Sequence, residues 1–477
     1  MTFTILRIVT WVLGIVGTSF ALPLAVAVFA GERRMAWVFL GLMLAGWAVA
    51  GLFALLGRGR PGVLALRNAF GVVGGIWIAV CLFGALPFIL SGAFPSVTDA
   101  VFESVSGFTT TGASVLSDVE ALPQSLNLWR CETHWLGGMG VIALAVALVP
   151  LLGIGGFRLI KAETTGPDKA KFTAFIANTA KSLWLIYCLM TVADALLLHW
   201  SGLGPVDALA HAFSTLGTGG FSTRNASLGA FGSPAAEWVT VAFMLMASVN
   251  FAVHYRFLTG RWGEVGRDSE LRTLFGIVLV AVGGAFLIQL GVSGDASATL
   301  RETAFQVSSV ISTTGFMTAD YTTWLPGAQC IILALFLIGG SSGSTAGGVK
   351  VVRWTILAKQ LRIELRRILH PHEVATLELN GVTGREIFVP VVATFVFAYL
   401  LLVLFTTFAG AIAGLDLYTA FTAALSMVGN VGPAFGSLGP TANYGALAPA
   451  LKWWYAFAML AGRLEIYTLL FLIGRRR

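Results

Sequence analysis

Ten apolar runs of helical length recur along the chain, near residues 5–30, 36–57, 68–92, 129–152, 182–201, 238–258, 273–292, 327–349, 387–413 and 453–474. Each is close to the ~20 residues that cross a bilayer as a helix. A chain with so many such runs cannot cover itself with polar surface. Only 11% of its 477 residues are charged and 57% are hydrophobic, against roughly 25% charged in soluble domains. This excludes a disordered chain, a nucleic-acid-binding chain and a soluble enzyme. The expected class is an all-α polytopic membrane protein. The first run, reaching about Ala30, is too long for a signal-peptide core and reads as a retained span. Cys81, Cys131, Cys188 and Cys330 have neither disulfide-framework nor zinc-site spacing, and the six histidines are scattered.

If the first span starts inside, ten spans return both termini to the cytoplasm. Of the 30 basic residues, 23 then lie inside and 6 outside, with Arg463 within a span. That asymmetry follows the positive-inside rule and accounts for the net charge of +7. The location expected is the cytoplasmic membrane. Membrane lipid is a partner and nucleic acid is not.

Four outside connections, roughly 93–128, 202–237, 293–326 and 414–452, begin with a short apolar helical stretch and end in a glycine-bearing strip. The strips are Thr-Thr-Gly-Ala (110–113), Thr-Gly-Gly-Phe (218–221), Thr-Thr-Gly-Phe (313–316) and Asn-Val-Gly-Pro (430–433). Aligned on Gly112, Gly220, Gly315 and Gly432, they share a serine six residues earlier: Ser106, Ser214, Ser309 and Ser426. Thirteen residues earlier stand Asp99, Asp207, Glu302 and Thr419, which suit the first turn of a helix. The chain therefore reads as four diverged copies of one unit (span, half-span helix, strip, span) after two extra spans. A helix of about 12 residues covers ~17 Å and stops mid-membrane. Non-helical backbone is tolerated there only where it lines a cavity. Four strips around an axis would offer rings of carbonyls that replace the water shell of a monovalent cation. The competing reading is four ordinary Thr-Gly turns between helices. The serines are read as packing or hydrogen-bonding groups of the half-span helices.

These residues resemble the Trk/Ktr/HKT superfamily of potassium transporters, and most of all its Trk-type membrane subunit. The resemblance is carried by Ser-Gly-Phe-Thr-Thr-Thr-Gly-Ala (106–113), Ser-Thr-Leu-Gly-Thr-Gly-Gly-Phe-Ser-Thr (214–223), Gly-Gly-Ser-Ser-Gly-Ser-Thr-Ala-Gly-Gly-Val-Lys (339–350), Gly-Asn-Val-Gly-Pro (429–433) and Gly-Arg-Leu-Glu-Ile-Tyr (462–467). The two extra N-terminal spans favour the Trk branch over Ktr. The resemblance implies potassium uptake through a pseudo-fourfold pore within one chain, a homodimer, and a cytoplasmic regulatory partner binding a nucleotide, NAD or ATP/ADP. It implies potassium as the transported ion and no organic cofactor on this chain. The filter positions are Thr110, Thr111, Gly112; Thr218, Gly219, Gly220; Thr313, Thr314, Gly315; and Asn430, Val431, Gly432. In some related transporters a serine at the first filter glycine favours sodium; Gly112 leans towards potassium.

Residues 339–350 interrupt a span. Gly339, Gly340, Ser341, Ser342, Gly343, Ser344, Thr345, Gly347 and Gly348 weaken a helix or open its backbone. A half-broken helix below a filter could act as a movable gate, and the resemblance implies an intramembrane gating loop here. A phosphate loop is excluded because Lys350 follows Val349 instead of preceding Ser or Thr. A small-residue helix contact is the plain alternative. Arg463 is a charge inside an apolar span, two residues from Glu465, which therefore faces elsewhere. It faces water or a partner elsewhere, as a barrier to conduction or as half of a structural ion pair; the resemblance puts it below the filter. Lys350 either snorkels to the cytoplasmic surface or takes part in gating.

Asp99, Glu103, Asp118, Glu120, Asp207, Asp295, Glu302, Asp320 and Asp416 fall at the outer mouth, where together they would concentrate cations, while each singly reads as a helix cap or a solvated loop residue. His211 on a half-span helix reads as a packing or hydrogen-bonding residue. The basic stretch 353–385 reads as a cytoplasmic linker, helical to Leu369 and ended by Pro371, that anchors on anionic lipid or docks a regulator. The expected layout is 1–60 two extra spans, 61–160 unit one, 161–270 unit two, 271–372 unit three with the gating loop, and 373–477 unit four. A symporter coupling potassium to sodium or protons is the alternative, with Asp194 and Glu465 as candidate proton carriers. Four copies in one orientation favour a pore over it. No clustered enzyme constellation is visible.

Overall fold

The computed structural model describes residues 2–56, 66–152, 169–370, 376–379, 382–383 and 385–466. The layout boundaries at 60/61, 160/161 and 372/373 lie outside these residues, as do Pro371, the basic residues Arg58, Arg60, Arg158 and Lys161, and Arg475 to Arg477.

The described chain is almost wholly helical. α1 (Thr2–Ser19) and α2 (Ala21–Phe29) form one apolar span, and α3 (Arg33–Leu56) returns beside it. α4 (Leu66–Ser91), α5 (Val97–Phe108) and α6 (Gln124–Leu152) fall in the first expected unit. The second comprises α7 (Lys169–Trp200), α8 (Pro205–Gly217), α9 (Pro234–Ser248) and α10 (Phe251–Leu258), followed by the short α11 (Trp262–Arg267). α12 (Ser269–Ser293), α13 (Ala296–Ile311) and α14 (Pro326–Leu335) lead through a loop to α15 (Val351–Leu369). α16 (Arg385–Ile412), α17 (Leu417–Gly429) and α18 (Pro449–Arg463) complete the order. Residues 378–379 and 382–383 pair as a two-residue antiparallel ladder. α15 ends at Leu369, where the linker helix was expected to stop.

Six described stretches are long and apolar enough to cross a bilayer: Leu6–Phe29, Arg33–Leu56, Gly71–Ser91, Ala180–Trp200, Ser269–Val292 and Val389–Ile412. They leave Trp11, Ile15, Leu279, Val280, Phe405 and Phe408 exposed, an apolar girdle suited to lipid and not to water. Ten unbroken spans do not form. The run 238–258 is bent by 101° between α9 and α10. Val249 is extended there, and the Asn250 side chain caps α10 by accepting from the Ala252 N–H. The run 327–349 is helical only to Leu335, because the glycine-serine segment behind it folds as a loop. The described part of the last run is the end of α18 followed by a turn.

The half-span helices α5, α8, α13 and α17 have 12, 13, 16 and 13 residues. At 1.5 Å per residue they cover about 18–24 Å. Their starts are encoded locally. Ser96, Asp295 and Asp416 cap three of them by accepting backbone N–H bonds, and Pro205 opens the fourth. Glu302 is not in a first turn: Asp295 starts α13 about one turn earlier than the alignment of the four copies indicates. Glu32, between α2 and α3, accepts from the N–H groups of Gln124 and Ser125 at the start of α6. A carboxylate at the positive end of a helix is stabilising, and this one fastens the N-terminal hairpin to the first unit.

Candidate functional site

Each half-span helix ends in the same backbone device. The N–H groups of Thr111, Gly219, Thr314 and Val431 donate to the carbonyls of Ser106, Ser214, Ser309 and Ser426 at 2.8–3.0 Å. Thr110, Thr218, Thr313 and Asn430 have φ of +55° to +56°. A left-handed residue followed by a 6→1 bond is a Schellman C-cap. The recurring serines thus contribute their carbonyls to every cap. Glycine is usual at the left-handed position, and asparagine is the common substitute. Threonine there costs roughly 1–2 kcal/mol, a strain imposed by the surrounding structure.

Two residues on, Gly112, Gly220, Gly315 and Gly432 are left-handed again, with φ of +79°, +77°, +79° and +101°. Alternating handedness turns successive carbonyls of one strip to the same side. The strips also close on one another. A β-carbon on Gly112 would collide with the Gly219 carbonyl, on Gly220 with Thr314, on Gly315 with Val431, and on Gly432 with Thr111. Strip one abuts two, two abuts three, three abuts four and four abuts one. Glycine is therefore required twice at each corner, for φ and for the neighbouring carbonyl. Among the described residues no protein donor reaches the carbonyls of Thr110, Thr111, Gly112, Thr218, Gly219, Gly220, Thr313, Thr314 or Gly315. Of these residues Gly112, Gly220 and Gly315 are half-buried and the others buried, so these oxygens are available to something other than protein.

The interrupted segment packs directly against these strips. Gly339 N–H donates to the Val349 carbonyl at 2.8 Å, and Gly340 accepts from Val351 N–H at 3.2 Å. Ser341 N–H donates to Ser248 at the α9–α10 bend, and Phe251 N–H donates back to Gly343. Ser344 Oγ bonds the Ser341 carbonyl at 2.6 Å, and Thr345 Oγ1 donates to Ala247 at 3.2 Å. Gly343 and Gly348 have φ of +72° and +67°. Gly347 N–H donates to Thr313 Oγ1 at 2.7 Å, which joins the loop to strip three. Ser342 donates from N–H and Oγ to both oxygens of Glu270, at 2.7 and 2.8 Å. Glu270 opens α12; the sequence reading missed it.

Arg463 is buried and finds no carboxylate partner among the described residues. Its Nη1 donates to the Thr345 carbonyl at 2.8 Å and its Nη2 to Gly137 on α6 at 3.2 Å. One side chain on α18 thus ties the loop of unit three to the helix of unit one. Glu465 pairs instead with Arg353 at 2.8 Å. Lys350 is buried and not snorkelling; its Nζ donates to the Ala346 carbonyl within the loop.

Behind strip two lies a polar row that the sequence reading also missed. Asn127, Arg130, Cys131 and His134 recur at helical spacing along α6. Asn127 donates to Thr223 at 3.4 Å, Arg130 to Ser222 at 3.2 Å and Cys131 to Phe221 at 3.5 Å, all backbone carbonyls. His134 Nε2 accepts from Phe221 N–H at 3.1 Å while its Nδ1 faces the Gly107 carbonyl at 2.7 Å. That pairing assigns the neutral Nδ1–H tautomer. The row's i, i+3, i+4, i+7 spacing on an apolar helix was the available signal.

Glu103 on α5 accepts from Arg130 at 2.8–2.9 Å, from Ser114 Oγ at 2.8 Å and from Val115 N–H at 2.9 Å, fully buried. Asp99 pairs with Lys452 of unit four at 2.6 Å, also buried. These two carboxylates therefore brace the half-span helix of unit one and do not charge the outer mouth. Asp118 does face outward; the Asn225 amide at 2.8 Å holds its carboxyl below the usual range. His211 bonds the Asp207 carbonyl and Ser222 Oγ, as a hydrogen-bonding residue should. Truncating Glu103 to alanine strands a buried guanidinium. It should destabilise the fold by about 3–5 kcal/mol. The detergent-solubilised melting temperature should fall, and Glu103→Ala with Arg130→Met should recover part of the loss.

A family model described as a cation transport protein, TrkH, matches residues 49–474. The "Trk system potassium uptake protein TrkH" of Salmonella typhimurium is 40% identical over 421 residues, 87% of this chain and 86% of that protein. Its counterpart in Halomonas elongata is 37% identical over 98% of both chains. The crystal structure of the potassium transporter TrkH from Vibrio parahaemolyticus superposes with a TM-score of 0.88 at 34% identity, covering 99% of this chain and 98% of that one. The chain is a multi-pass membrane protein and not an enzyme, and it belongs to the TrkH family of Trk potassium uptake transporters.

Proposed function

We propose that the four strips form the selectivity filter of a potassium uptake pore in the cytoplasmic membrane. The filter residues are 110–112, 218–220, 313–315 and 430–432, and the ions are held by their carbonyls other than that of Gly432, which accepts from the Tyr444 hydroxyl. The observation that carries this reading is the closed order of the four glycine corners, each against the next strip's carbonyl, with eleven of the twelve strip carbonyls taking no protein donor among the described residues. Rings of such oxygens substitute for the hydration shell of a monovalent cation. The membrane potential, worth roughly 2.3 kcal/mol per charge per 100 mV, drives entry. The loop 339–350 and Arg463 are the gate beneath the filter, and Glu270, Ser248 and Phe251 anchor it.

The layout that goes with this reading is two N-terminal spans followed by units 61–160, 161–270, 271–372 and 373–477, with both termini cytoplasmic. The protein works as a homodimer with a cytoplasmic subunit that binds NAD or ATP/ADP. The basic α15 offers that subunit Arg362, Arg366 and Arg367, all exposed.

The test is electrical and radiotracer flux through the purified chain in proteoliposomes, with and without the regulatory subunit, under potassium, rubidium and sodium. The expected result is passive potassium-selective current whose reversal follows the potassium gradient alone. A reversal that shifts with a sodium or proton gradient supports coupled symport instead. Absence of cation flux in every condition rejects both.

A further inference from the structure

Strip four departs from the other three at its last carbonyl. Of the twelve strip carbonyls, eleven take no protein donor among the described residues; that of Gly432 accepts from the Tyr444 hydroxyl at 2.8 Å. Gly432 is also rotated, at φ +101° against +77° to +79° for Gly112, Gly220 and Gly315. The Gly432 carbonyl thus carries a protein donor that the other eleven lack, at a corner whose backbone differs from the other three. Tyr444 is in no position to release it by a small swing. It is 3% exposed, its backbone N–H donates to the Ser114 carbonyl at 2.8 Å, and its ring lies against Phe102 and Tyr455. Tyr444 therefore holds strip four and the exit of strip one at once. Tyr321 makes a bond of the same kind two residues further on, to the Ala434 carbonyl at 2.8 Å.

We propose that Tyr444 is a specificity-determining positioning residue, whose hydroxyl holds the Gly432 carbonyl out of the outermost ring and leaves that ring three-sided. This rests on the filter reading above. The two inner rings keep four carbonyls each. The outer ring, built from Gly112, Gly220 and Gly315, holds a cation that retains water on its open side. Such a position binds loosely and discriminates ion size poorly, so it admits ions while the inner rings select them.

Tyr444→Phe keeps the packed ring and removes only the hydroxyl. Released, the Gly432 carbonyl completes the outer ring. In proteoliposomes the half-saturating external potassium concentration should fall at least threefold, with a lower maximal flux. Tyr321→Phe should leave half-saturation unchanged, since its carbonyl is outside the strips. A folded Tyr444→Phe with wild-type half-saturation overturns the proposal. A second measurement needs no variant: anomalous scattering from rubidium in crystals of the wild-type protein. The expected pattern is full occupancy at the inner rings and a weaker, partly hydrated ion at the outer one. Rubidium held equally by all four outer carbonyls overturns the role of Tyr444 and leaves the filter standing. Rubidium at no ring overturns the filter reading, and this proposal with it.

Discussion

Replacing Gly112 with serine should lower the potassium-over-sodium selectivity of flux at least tenfold while leaving a folded protein. Gly112 sits at φ +79°, where a residue with a side chain pays roughly 1–2 kcal/mol. The new β-carbon also lands on the Gly219 carbonyl, which must move. That oxygen belongs to the ring that a dehydrated potassium ion would require. A shift costing about 1.4 kcal/mol of coordination is a factor of ten in relative affinity. The damage is confined to one corner, because strips two, three and four keep their own Schellman caps. The readout is the bi-ionic reversal potential in proteoliposomes, with melting temperature as the folding control. Gly112→Ala should act in the same direction, since the β-carbon and not the hydroxyl makes the collision. Wild-type selectivity in both variants would falsify the assignment of strip one to the filter.

Arg463→Ala should raise potassium flux in the absence of any regulatory subunit by about tenfold or more. The guanidinium donates to Thr345 in the loop and to Gly137 on α6. Hydrogen bonds from a charged donor contribute roughly 1.5–3 kcal/mol each, so losing both frees the loop and removes a positive charge from beneath the strips. Arg463→Lys keeps the charge but not the two-pronged grip, and should fall between wild type and alanine. Deleting Ser341 to Thr345 should raise flux in the same way, since it removes the carbonyl that Arg463 holds. Flux unchanged in both Arg463→Ala and the deletion removes the gate assignment. A fall in flux with Arg463→Ala would mean that the arginine supports the conducting state.

Much of this protein is legible from local signals. Hydropathy separates lipid-facing helices from loops, because the cost of exposing polar backbone in a bilayer is large and acts segment by segment. The half-span helices announce themselves by their capping residues and lengths. The strips announce themselves by glycine, since a left-handed backbone is written into residue choice. The resemblance between Ser106, Ser214, Ser309 and Ser426 was visible, but their use was not. They act through backbone carbonyls, which carry no residue identity.

Other features needed the folded chain. The four strip glycines are 95 to 117 residues apart, and nothing in either strip states which neighbour it will touch. The bend after Ser248 is set by a cap at Asn250 and by the loop bonded to Ser248 and Phe251; hydropathy alone reads it as one span. Buried polar groups choose partners by proximity. Arg463 took two carbonyls instead of Glu465, Asp99 took Lys452 from the far end of the chain, and Glu103 took Arg130. Glu270, His134 and Tyr444 are ordinary residues in sequence and gain their roles only from what packs beside them. The sequence by itself determined a helical membrane protein with four glycine-cornered half-spans and one broken helix, because secondary structure and bilayer partition are short-range choices. The tertiary structure decided the order in which the corners meet, what holds the loop and which strip carbonyl has a protein donor. Those depend on satisfying buried polar atoms between segments that the sequence keeps far apart.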